Sequence, residues 1–139
     1  MYIDVELEPG AIKPTKAHDA DGGFDFYSRE ERIIPARSST EFNTGVHISI
    51  PKGLTGLLVS KSGLNVKHSI LSTGLIDAQY TGAVVVKLYN EGLEDYKVSV
   101  GDKISQLVLL PIPSVTLRQV EKLDIDSDRG DKGFGSSGK

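Results

Sequence analysis

The chain has 139 residues, a net charge of −3, 38% hydrophobic and 25% charged residues, and no cysteine. This is the balance of one folded domain with its own core, without disulfides, thiolate catalysis or cysteine-bound zinc. The acidic balance argues against broad nucleic-acid binding, and no apolar run approaches the roughly 20 residues of a membrane span. Met1-Tyr2-Ile3-Asp4-Val5-Glu6 has neither a basic nor an apolar leader segment, so a soluble cytoplasmic protein with no membrane partner is expected.

Alternation with a period of two runs through the chain and predicts strands. Ile3, Val5 and Leu7 alternate with acidic residues, and Val46, Ile48 and Ile50 alternate up to Pro51. Ser60–Lys67 holds at most a short helical turn. Ala83–Leu88 and Ile104–Leu110 are continuously apolar and are expected as strands buried on both faces, the second broken by Pro111 and Pro113. Tyr96, Val98 and Val100 alternate again, and Val115, Leu117 and Gln119 share a face of a last stretch of the same kind. Turn clusters punctuate these runs at Pro9-Gly10, Gly22-Gly23, Pro51-Lys52-Gly53, Glu91-Gly92 and Gly101-Asp102. Many short strands with frequent turns predict an all-β sandwich, barrel or jelly roll.

From Asp124 onward the only large apolar side chains are Ile125 and Phe134, too few to offset ordering entropy. Taken alone this is a fraying terminus, although a lone phenylalanine among glycines suits a purely solvating tail poorly. Gly133–Lys139 matches part of a P-loop, but the chain stops at the lysine, without the Ser/Thr and helix such a loop requires. The histidines, at 18, 47 and 68, lack metal-ligand spacing and are expected as structural or surface residues. Asp19, Asp21 and Asp25 cluster in a glycine-rich turn that is not an EF-hand. Asp77 follows two apolar residues and precedes an apolar run, a position suited to turn capping or to catalysis. Ser60-Lys61-Ser62-Gly63 is an ordinary loop with some capacity to hold an anion.

Five segments in order change this reading. They are Ala20-Asp21-Gly22-Gly23-Phe24-Asp25-Phe26, Ser60-Lys61-Ser62-Gly63-Leu64, Gly74-Leu75-Ile76-Asp77-Ala78-Gln79-Tyr80-Thr81-Gly82, Gly101-Asp102-Lys103-Ile104-Ser105-Gln106-Leu107 and Arg129-Gly130-Asp131-Lys132-Gly133-Phe134-Gly135-Ser136-Ser137-Gly138. Together they resemble the five motifs of the trimeric dUTPases, the third and fifth being the more specific. The resemblance implies a β jelly-roll core over residues 1–126 and a glycine-rich arm over 127–139 that closes on a neighbouring subunit's site. It implies a homotrimer with three shared sites, dUTP as substrate, and Mg²⁺ as cofactor. The reaction would yield dUMP and pyrophosphate, keeping uracil out of DNA and supplying dUMP for dTMP synthesis.

Carried over by motif, Asp77 is the expected base. Tyr80 would pack under the deoxyribose and exclude a 2′-hydroxyl, while backbone groups of Ser72, Thr73 and Gly74 would read the uracil edge. Asp25 would hold waters of a Mg²⁺ on the triphosphate. Ser62 and Gln106, with Lys61 and Gly63 beside them, would meet the α- and β-phosphates. Arg129, Gly135, Ser136 and Ser137 would hold the γ-phosphate end, and Phe134 would stack on uracil. Lys61 and Lys103 stand where the family often has arginine, and a lysine cannot make the bidentate fork; Asn65 and Gln79 also depart from the usual pattern. A dCTP deaminase sharing the fold and a regulatory nucleotide-binding module are the alternatives. The Gly-Leu-Ile-Asp-Ala-Gln-Tyr segment and the complete arm favour the hydrolase.

Overall fold

The structure, a computed structural model, describes residues 1–135 and 137–138. Nine strands form in chain order: β1 (Val5–Leu7), β2 (Phe24–Tyr27), β3 (Arg32–Ile34), β4 (Ser39–Ile48), β5 (Leu54–Val59), β6 (Ile70–Ile76), β7 (Ala83–Asn90), β8 (Tyr96–Val98) and β9 (Lys103–Pro111). The single helix, α1 (Ser62–His68), lies between β5 and β6. It ends at Ser69, which takes the left-handed conformation with φ 56° and returns its N–H to the carbonyls of Asn65 and Leu64. It is not long or apolar enough to cross a membrane.

Seven strands make one antiparallel sheet in the order β1-β4-β7-β6-β5-β9-β2, and β3 pairs with β8. Non-consecutive neighbours such as β4-β7 and β9-β2 are the long crossovers of a jelly roll, and the curled sheet has that fold. Alternation sets which face is buried. Along β4, Thr40, Phe42, Thr44, Val46 and Ile48 point inward. They meet Phe26, Ile34, Ile50, Leu58, Val84, Val86, Leu88 and Leu107 in one core. Burying each such aliphatic or aromatic side chain stabilises the fold by about 1.5–3 kcal/mol. The polar Thr44 is tolerated there because its hydroxyl donates to the Val84 carbonyl at 2.7 Å.

Two expectations need correction. β7 is not buried on both faces: Val84, Val86 and Leu88 are inside, while Val85 is 44% and Tyr89 39% exposed. Its continuous apolarity therefore reflects one core face and one apolar face left open on this chain. The last alternating stretch does not form a strand. Val115 and Leu117 are exposed beyond β9 and belong to no strand among the described residues, because alternation marks which side chains share a face and not whether a partner strand lies alongside.

Candidate functional site

Gly22-Gly23 leads directly into β2, and Gly23 is buried. A Cβ there would lie 3.2 Å from the Leu107 carbonyl and 3.3 Å from the Gln106 side chain, so the turn presses against β9. β2 pairs with β9 so that Asp25 stands opposite Gln106. Phe26 enters the core, and Asp25 is only 6% exposed. Its carboxylate lies 2.5 Å from the Lys61 ammonium and 2.8 Å from that of Lys103, one on each oxygen. Burial pushes the carboxyl pKa up, but its bonds to Lys103 and Lys61 outweigh that and hold it below the usual aspartate range. The same contact raises Lys103. The pair of lysines that departs from the arginine pattern is thus one device, two ammonium groups on one carboxylate. No residue spacing points to it, since its three members lie far apart along the chain.

The phosphate-motif residues are woven around this trio. Gln106 donates from Nε2 to the Ser60 carbonyl at 3.0 Å. Ser60 Oγ accepts from the Ser72 amide at 2.9 Å, and the Ser72 and Ser105 hydroxyls are 2.8 Å apart. Ser62 and Gly63 open α1 and are exposed, so their polar groups are free to meet a ligand. Thr73 and Gly74 lie on β6 opposite Val59 and Leu58 of β5. The segments around Asp25, Lys61, Ser72 and Gln106 therefore come together in one chain.

Asp77 and Tyr80 occupy a different place, the turn between β6 and β7. They line a small cleft with Leu75, Ile76, Ala83 and Val85. The Gln79 amide donates to the Ile50 carbonyl at 2.9 Å, and Gln79 takes φ 66°. Tyr80 folds back over Gly82, where any Cβ would collide with the phenol ring. Among the described residues no hydrogen bond, ion pair or common pocket joins this turn to the Asp25 cluster. Among its described residues the arm hydrogen-bonds to neither: Phe134 is fully exposed, and Arg129 donates to the Lys132 carbonyl within its own turn. Gly135 and Ser137 are described as turn residues, while Ser136 lies outside the described residues.

Magnesium demands oxygen ligands and keeps much of its water. No group of three or more histidine or carboxylate side chains converges among the described residues, and both Asp25 oxygens already accept from ammonium groups. A protein cage for the ion does not fit these residues. A contact through water does, since each carboxylate oxygen retains acceptor capacity beyond its lysine bond.

Residues 10–138 match the family model for dUTPase. The deoxyuridine 5'-triphosphate nucleotidohydrolase of Clostridium acetobutylicum is 40% identical over 136 residues, covering 96% of this chain and 93% of that one. The protein of the same name from Debaryomyces hansenii is 41% identical over 132 residues, covering 93% and 82%. Among solved structures, the Staphylococcus bacteriophage 80alpha dUTPase with dUPNHPP superposes with a TM-score of 0.93 at 32% identity, over 99% of both chains. A variant dUTPase from phage phi11 of S. aureus, described for its coordination of a structural Mg(II) ion, gives 0.83 at 29% identity, over 90% and 100%.

Proposed function

This chain belongs to the dUTPase family, and we propose that it hydrolyses dUTP to dUMP and pyrophosphate, with Mg²⁺, at sites shared between three copies of the chain. Asp77 is the base. Its carboxylate orients a water and takes its proton as the oxygen attacks the α-phosphorus. The bond from that phosphorus to the α,β-bridging oxygen breaks, and its electron pair leaves with pyrophosphate. The Tyr80 ring lies under the deoxyribose, where a 2′-hydroxyl would be crowded and left without a partner. Backbone groups of Ser72, Thr73 and Gly74 meet the uracil edge.

Ser62, Gly63, Gln106 and Lys61 meet the α- and β-phosphates, with Lys103 adding charge beside Asp25. Arg129, Gly135, Ser136 and Ser137 grip the γ-phosphate, and Phe134 stacks on the base. Asp25 is the residue to hold the ion's waters, and the ion supplies neutralisation of phosphate charge. Loss of dUTP keeps uracil out of DNA, and the dUMP formed serves dTMP synthesis.

The observation that carries this reading is the separation within one chain. The Asp25–Lys61–Gln106 cluster, the Asp77–Tyr80 turn and the bare Phe134 hold complementary parts of one chemistry, and no hydrogen bond or ion pair among the described residues assembles them. A panel of dUTP, dTTP, dCTP and UTP, assayed for pyrophosphate with and without Mg²⁺, tests it. Release from dUTP alone, lost on chelation, is expected. Ammonia from dCTP would make the chain a deaminase, and equal cleavage of UTP would remove Tyr80 from sugar selection. A second reading, a nucleotide-dependent regulator, is favoured by the likeness to the 80alpha protein, whose dUTPases are described as controlling transfer of virulence genes; a nucleotide-dependent pull-down tests that one.

A further inference from the structure

Patterning makes His47 one more residue of an alternating strand, but the fold gives it a place neither of the other histidines has. On β4 it stands in register with Glu6 of β1 on one side and with Ala83 of β7 on the other. Its ring thus lies beside the end of the Asp77–Gly82 turn. Nδ1 is 2.7 Å from the carbonyl oxygen of Thr81, and Nε2 is 2.9 Å from Oε1 of Glu8. Both partners can only accept. A neutral imidazole carries one N–H, so either tautomer would set a bare nitrogen lone pair against an oxygen at hydrogen-bonding distance. Only the imidazolium donates to both.

The far side of the bridge is fixed. Glu8 Oε2 accepts from Arg29 Nη2 at 2.9 Å, and Arg29 donates from Nε to the Asn43 carbonyl and from Nη1 to that of Pro9. The guanidinium occupies the space a Cβ at Gly45 would need, and Gly45, at φ 68°, lies where the β4–β7 register shifts. The groups facing the ring are Glu8 and Glu6 from the β1 segment, Arg29 through Glu8, Asp4 across the shared cleft, and Tyr80 with the Thr81 carbonyl from the turn. The Thr81 bond first and the Glu8 bond second raise the His47 pKa against a smaller opposing effect of burial. Among the described residues His47 is the side chain from outside the turn that hydrogen-bonds it; the turn's other ties outward are Gln79 N–H to the Ile50 carbonyl and the Tyr80 hydroxyl to the Ala83 carbonyl.

We propose that His47, as an imidazolium bridging Glu8 and the Thr81 carbonyl, is a positioning residue that holds the Asp77–Gly82 turn in its working geometry and releases it when the ring loses its proton. This rests on the reading of Asp77 as base and Tyr80 as the surface under the sugar, both carried by that turn. Deprotonation leaves the turn with one fewer anchor next to a residue, Gln79, already in left-handed backbone.

The test joins a readout on the free protein to a kinetic one, over about pH 5.5–8.5, where histidine titrates. Nitrogen-15 NMR of the His47 ring and exchange protection of the Ala78–Gly82 amides are followed together with kcat and KM for dUTP. Wild type, His47→Gln and Glu8→Gln are compared. The ring is expected to be doubly protonated at the low end, and protection of the turn to fall as it titrates. The wild-type kcat should drop about three- to tenfold across that titration, as a loosened catalytic geometry implies. His47→Gln should lack the step, and Glu8→Gln, with a neutral partner for the ring, should move it to lower pH. Should His47→Gln fail to fold, the shift in Glu8→Gln decides. A ring singly protonated throughout, or a step unchanged in both variants, overturns the proposal. If no dUTP is cleaved at any pH, the hydrolase reading fails, and the turn's protection decides the latch alone: protection that tracks ring protonation upholds it, and protection independent of the ring overturns it.

Discussion

Two carboxylates in this protein sit in opposite surroundings, and their substitution should fail in opposite ways. Asp77 is exposed on its turn, and no protein hydrogen bond among the described residues engages its carboxylate. Asp77→Asn keeps the size of the side chain but cannot take a proton. Turnover of dUTP should fall about 10²–10⁴-fold with nucleotide binding and melting temperature near wild type, as pyrophosphate assays and calorimetry would show. Turnover close to wild type would remove Asp77 from the role of base. Asp25, by contrast, is buried and holds two ammonium groups, so its loss should be felt in stability. Its folded pKa lies below its unfolded value. The stability it contributes is therefore fully present above the unfolded value of about 4 and is lost as pH falls through the lower folded value. Melting temperatures of wild type and Asp25→Asn should differ by several degrees at neutral pH, because the variant leaves Lys61 and Lys103 facing each other. The gap should close toward the acid end; a gap that widened there would mean the wrong sign for this pair.

At the scale of elements, the end of β4 around Val46 and Ile48, and β8, were legible because each has one buried face, and alternation reports a buried face directly. β9 was legible as an apolar run, but it is not buried on both faces throughout, since Leu110 is 39% exposed. β7 was misread because apolar residues on both faces look alike whether the second face is covered by this chain or left open. Residues 115–119 alternate without pairing, since alternation says nothing about whether a partner strand exists. The motif residues were legible as an ordered set, yet the Lys61–Asp25–Lys103 trio and the bridge from Glu8 through His47 to the Thr81 carbonyl were not, because each joins groups far apart in sequence. The arm is an element of the same ambiguous kind. Phe134 is fully exposed, so deleting Arg129–Lys139 should shift the melting temperature by no more than about 2 °C. Turnover should suffer much more. Stacking on a base is worth roughly 1–3 kcal/mol in single-stranded nucleic acid, charge-assisted bonds to a terminal phosphate add to it, and a closed arm keeps water from the phosphates. Wild-type kinetics in the truncated protein would return the arm to an ordinary fraying terminus.

The outward face of β6 and β7 carries Leu71, Leu75, Val85 and Tyr89, between 39% and 62% exposed, with Leu71 and Tyr89 directly paired across the strands. An open apolar strip of this kind is what a subunit of an assembly presents. Light scattering should give a particle about three times the 15.0 kDa chain mass. Mass alone does not show that sites are shared, but two damaged chains can. Asp77→Asn keeps its arm and lacks its base; the Arg129–Lys139 deletion keeps its base and lacks its arm. If each site takes Asp77 from one chain and the arm from another, mixed trimers contain sites that draw the good part from each. Random assembly of equal amounts would make about a quarter of all sites whole, so activity should rise far above the mean of the two parents when the chains are refolded or expressed together. It should stay at that mean when the preformed proteins are merely combined, before subunits exchange. Recovery only in the co-assembled sample requires that base and arm act across a subunit boundary. No recovery, with mixed trimers verified by mass, would place a complete site within each chain and contradict the separation on which the shared-site reading stands.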